Sequence, residues 1–66
     1  MMWSHITSRG HELQVIDTKE QGVFAWLIVD DDPDAPKGLS TSRERAWVRV
    51  MEEYEAWING GTDAHR

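Results

Sequence analysis

Four of the five residues from Asp30 to Asp34 are aspartates, and carboxylates at alternate positions are the raw material of a calcium loop. With Asp30 as a first ligand, Asp32 and Asp34 fall at the third and fifth positions of an EF-hand. The pattern then fails. Ala35 stands where the sharp turn needs glycine, and Thr41 stands where a bidentate Glu closes the site. Pro33 and Pro36 also stiffen the segment. Zinc fares no better. The histidines are His5, His11 and His65, none is paired at helical spacing, and the chain has no cysteine. Ser4-His5 and Ser8 supply a hydroxyl and a base but no nucleophile motif. The glycines at 10, 22, 38, 60 and 61 form no phosphate-cradling loop. Carboxylate pairs do acid-base work when one of them is desolvated, and aspartates beside two prolines in a loop are well hydrated. The sequence therefore predicts no catalytic residue, no metal ligand, no cofactor and no enzyme activity.

Two readings of the aspartates remain. Like charges this close repel, so the fold gains nothing from them. They are a solvated turn, or a surface for a positively charged partner. Twelve Asp/Glu against seven Lys/Arg give a formal net charge of -5. That balance argues against direct nucleic-acid binding, which needs cations facing phosphates. It favours a basic partner, or solubility alone.

The elements that must position these residues are few. The chain has 66 residues, enough for one small domain, with no disulfide to staple it. A domain of this size buries only roughly 60% of its unfolded surface. Trp3, Trp26, Trp47, Trp57, Phe24 and Tyr54 supply the large apolar area it needs. The longest apolar run, 23–29, is too short for a membrane span, and no secretory signal is visible. A soluble, cytoplasmic protein is expected.

Residues 3–8 and 12–18 read as strands joined by a turn at Arg9-Gly10. Lys19-Glu20-Gln21-Gly22 reads as a second hairpin turn, and 23–29 as a third strand, apolar on both faces. Residues 30–38 read as loop, because Pro33 and Pro36 oppose helix and ladder alike. Thr41-Ser42-Arg43-Glu44 matches a capping box with Thr41 at the N-cap. Ala46, Trp47, Val50, Met51, Tyr54, Trp57 and Ile58 then form one helical stripe. Gly60-Gly61 stops the helix. The expected fold is α+β: a three-stranded antiparallel sheet in β-β-β-α order with one amphipathic helix on one face. It spans 1–61, and 62–66 form a flexible tail. Trp26 with Phe24 is the predicted covered face of the third strand, because two bulky rings are costly to leave wet. Trp3 and the Leu27 face are the better candidates for exposure. Such an apolar face beside an acidic corner suits protein binding. Self-association through that face or an edge strand is equally compatible.

Two family resemblances bear on function. The strand-strand-helix order over residues 12–58, with Ser-Thr-Ser-Arg-Glu-Arg-Ala at 40–46, is similar to the HicB-like antitoxin domain. It departs from that pattern where 30–37 replaces a Pro-Gly segment. The resemblance implies a binding module that covers a basic ribonuclease toxin. In length, charge and lack of cysteine the chain also resembles the small acidic inhibitors of phages and mobile elements, anti-CRISPR proteins among them. That resemblance implies a non-catalytic DNA mimic. Asp30, Asp31, Asp32, Asp34, Glu52, Glu53 and Glu55 would stand in for phosphates and occlude the basic site of a nucleic-acid-handling protein.

Overall fold

The computed structural model describes residues 1–60. Strands β1 (Met2–Ile6), β2 (Glu12–Asp17), β3 (Phe24–Val29) and β4 (Lys37–Ser40) precede helix α1 (Arg43–Ile58). The strands form one antiparallel sheet in the order β1-β2-β3-β4. Each strand thus pairs with the next one in the chain. Gly10 and Gly22 close the two hairpin turns and Gly60 follows the helix, all at positive φ, where a side chain would be strained. The expected tail, 62–66, lies outside the described residues.

The sheet has four strands, not three. Residues 37–38, expected as loop, open β4, which pairs Phe24 with Ser40 and Leu27 with Lys37. The prolines do not obstruct it. Pro36 lies just before the strand and contributes only its carbonyl, which accepts from the Ile28 amide at 3.2 Å. Gly38 has little β propensity, yet it faces the Trp26 indole across the ladder. A Cβ there would lie 2.6 Å from Trp26 Cζ2. The small residue is required by a tertiary contact, not by the strand itself.

The helix begins one residue later than the capping box predicts. Ser42, not Thr41, is the N-cap, and its Oγ accepts from the Arg45 amide at 3.1 Å. Arg45 therefore occupies the third helical position, and Glu44 cannot reach back to the cap amide. Glu44 instead places negative charge in the first turn, where the helix dipole favours it. Ser42→Ala should lower stability by ~1 kcal/mol in urea unfolding, whereas Thr41→Ala should change it by no more than a few tenths. Equal losses at both positions would show that the cap is shared.

The core forms where α1 crosses the sheet. Ala46, Val50 and Tyr54 meet Leu13, Val15, Trp26 and Ile28, all buried. Phe24, Trp47, Trp57 and Ile58 pack around them, half-buried. Trp26 thus lies on the covered face of β3, as its bulk predicts. Met51 departs from its predicted place in the stripe and is 45% exposed. The helix backbone lies over β2, β3 and β4, which leaves β1 outside its span.

Candidate functional site

The strand register fixes which features share an end of the molecule. Ile6 pairs with Glu12, and Glu12 with Val29. The β1–β2 turn and the loop 30–36 therefore emerge from the same end of the sheet. The helix finishes there too. Tyr54 Oη lies 2.9 Å from Thr7 Oγ1 and 3.0 Å from His11 Nδ1. The His11 ring also meets Trp57 edge-on, with centroids 5.4 Å apart. Short β4 turns the chain back at the opposite end, so α1 must run towards the acidic loop.

Within that loop the aspartates divide by role. The Asp32 amide donates to Asp30 Oδ2 at 3.0 Å, and the Asp34 amide donates to Asp32 Oδ1 at 2.9 Å. Asp30 and Asp32 are thus turn-builders, whose short side chains bond the backbone two residues on. The Ala35 amide closes the turn onto the Asp32 carbonyl, and Ala35 packs against the core. Asp31 and Asp34 are exposed. None of the four aspartates is in an ion pair among the described residues.

The helix acids arrive from two flanks. Residues three or four apart share a flank of a helix. Glu53 continues the flank of Arg49, which lies over the Trp26 ring, and Glu52, three residues from both Arg49 and Glu55, points outwards between the two flanks. Glu53 is paired with Arg49 at 3.3 Å, an exposed contact worth ~0.3–0.5 kcal/mol. Glu55 continues the flank of Met51, above β1. The structure therefore brings the aspartate loop, with Asp30, Asp31, Asp32 and Asp34, to the end of the sheet at which α1 finishes, and Glu52, Glu53 and Glu55 lie on the half of the helix nearer that end. Glu12 joins this end from β2. The negative pole of the helix dipole lies here as well, and the last turn of α1 carries no basic residue. Arg9, in the β1–β2 turn, and Lys37, which opens β4 directly after the loop, are cations at this end.

The reverse face of the sheet is open. Met2, Ile6, Ile16, Leu27, Val29 and Leu39 alternate away from the helix. Four of them are large and exposed: Met2 at 55%, Ile6 at 60%, Val29 at 40% and Leu39 at 69%. Val29 runs directly into Asp30, so the apolar face and the anionic end are continuous. Trp3, expected to be exposed, is half-buried against the core.

Among the described residues no group of three or more His, Asp or Glu side chains is arranged to hold a metal ion, and no helix is long and apolar enough to cross a membrane. The sequence did not reveal the Thr7–Tyr54–His11 cluster, which joins side chains more than forty positions apart. Nor did it reveal that the helix ends beside the loop. Leu39 is the one large apolar residue at 37–40, so the sequence carried little signal for the fourth strand. Comparison with known proteins finds no matching family model, no matching curated protein and no matching solved structure.

Proposed function

We propose that this domain is a non-catalytic inhibitory binding protein whose anionic end occludes a basic, nucleic-acid-binding surface on another protein, in the manner of a DNA mimic. One observation carries the reading. The aspartate loop and the negative pole of the helix converge on one end, with Glu52, Glu53 and Glu55 on the adjoining half of α1 and one ion pair, Arg49–Glu53, among them. A concentrated charge of one sign steers a basic partner and accelerates its encounter. The carboxylates stand on a hairpin loop and a helix tied together through the core, so little ordering is left to the binding step.

The test separates binding charge from turn-building charge. In Asp31→Asn/Asp34→Asn the loop keeps Asp30 and Asp32, the residues that bond its backbone. Immobilised wild-type domain should capture a nucleic-acid-binding protein from its native host, and short duplex DNA should compete for it. The doubly neutralised domain should bind that protein about tenfold or more weakly, with a shallower dependence on salt. Unaltered affinity would reduce the acidic loop to a solvated turn.

The open sheet face favours a second reading: an adaptor or antitoxin-like module that binds mainly through Ile6, Val29 and Leu39. In that case Leu39→Lys abolishes capture, the neutralised loop does not, and salt has little effect.

A further inference from the structure

We infer that β1 is an assembly edge, and that a second copy of this chain pairs with it antiparallel about Ser4 to make one continuous eight-stranded sheet. The two outer strands of the sheet differ sharply. Edge β4 is short, carries Lys37 and Gly38, and follows Pro36, all features that discourage further pairing. Edge β1 reads Met-Trp-Ser-His-Ile, with no Lys, Asp, Glu or Pro. It is also the strand that the helix leaves uncovered.

The hydrogen-bond parity of β1 is symmetric. The Thr7 amide donates to the His11 carbonyl, and the Met1 carbonyl accepts from the Asp17 amide. Odd-numbered residues of this strand therefore direct their backbone groups towards β2. Alternation sends the N–H and C=O of Met2, Ser4 and Ile6 outwards, to the free edge. These outward groups are centred on Ser4. A two-fold axis there makes Ser4 exchange bonds with its own counterpart, and Met2 with the partner's Ile6. Trp3 then lies opposite the partner's His5 on the helix side. A self-complementary patch of this kind is what an isologous dimer requires.

The side chains and charges agree. A groove of about 640 Å3 runs between β1 and α1, walled by Trp3, His5, Trp47 and Met51. It exists because the helix is displaced towards β4. In the paired arrangement the two grooves meet across the axis, and their aromatic and Met walls close over the joined strands. Arg43 lies over Trp3, 5.1 Å from the ring, at the Met2 end of the groove. Glu44 lines that same end, so the antiparallel arrangement sets one cation and one anion of each copy towards the far end of the partner's groove, and the contact rests on the strand edge and the apolar walls. The acidic loops follow β3, two strands from the edge. At about 4.8 Å per strand they end up roughly 24 Å apart across the sheet, and at opposite ends of the strands besides. That exceeds the screening length of about 8–10 Å at physiological salt, so repulsion between the two acidic loops is largely screened.

Sedimentation velocity on the full chain, from about 1 μM to about 1 mM, tests this. The expected result is a mass that doubles across the range. Ser4→Pro removes only an outward N–H and should remain monomeric throughout, with unchanged circular dichroism. Met51→Glu should also remain monomeric, and serves if the proline variant fails to fold. Leu39→Lys, at the other edge, should dimerise like the wild type. A wild type that stays monomeric overturns the inference. So does a folded Ser4→Pro or a Met51→Glu that dimerises normally, or a Leu39→Lys that does not. None of these readouts involves the aspartate loop, so the outcome is independent of the binding role of that loop.

Discussion

Gly38→Ala should destabilise the domain by ~1–3 kcal/mol, an overpacking cost at a site that looks harmless in sequence. The new Cβ would fall 2.6 Å from Trp26 Cζ2 and 2.9 Å from Cε2, inside any tolerable contact. The indole has little room to yield. Trp26 is buried in the core, and the Arg49 guanidinium lies 5.8 Å from its ring centre. At ~0.05–0.15 kcal/mol per residue, a domain of this length holds only a few kcal/mol in all, so the loss is a large fraction. The cause is separable by a double-mutant cycle in urea. Trp26→Phe removes the outer ring that the methyl would strike. It also removes Nε1, a buried N–H with no partner among the described residues. In that background Gly38→Ala should cost at most a few tenths of a kcal/mol. Additive losses would mean that the glycine serves the backbone of β4 rather than the indole.

Tyr54→Phe should cost ~1–3 kcal/mol, because it leaves two part-buried groups without their partner. The direction of the bonds follows from counting protons. Thr7 Oγ1 accepts from the Arg9 amide at 3.3 Å and from the His11 amide at 3.1 Å. With its acceptor positions occupied, it donates its own proton to Tyr54 Oη. The Tyr54 hydroxyl, 3.0 Å from His11 Nδ1, links the two side chains in turn. The chain Thr7–Tyr54–His11 fastens the β1–β2 turn to the helix. Removing the phenolic oxygen should therefore speed amide exchange in residues 7–11 more than in β3. A loss of less than about 0.5 kcal/mol, with exchange unchanged, would reduce Tyr54 to an apolar core residue.

Local pattern made much of this fold legible. Alternation at 23–29 marked β3, and the spacing of Ala46, Val50 and Tyr54 marked the buried stripe of α1. What escaped was set by tertiary contact. Four residues containing Gly and Lys carry almost no strand signal, and the reason for Gly38 is an indole twelve positions earlier. Thr41 and Ser42 are both good cap residues, and adjacent candidates differ only once the helix has docked. Met51 fits the stripe by spacing but lies beside a strand that the helix does not cover. The candidate site divides in the same way. Its aspartates announce themselves by composition. That Glu52, Glu53 and Glu55 lie on the half of the helix nearer the loop depends on the direction of α1.

The strand order carries a consequence for the growing chain. Every pairing joins neighbours in sequence, so the sheet can zip hairpin by hairpin as it leaves the ribosome, with only short loops to close. Its inner lining of Leu13, Val15, Trp26 and Ile28 nevertheless stays wet until the sixteen-residue helix α1 arrives. The helix acts as a clasp, and an interrupted product without it would offer greasy surfaces on both sides of a bare sheet. Such fragments are natural prey for chaperones and proteases, which makes the arrival of α1 the step that decides whether the sheet survives.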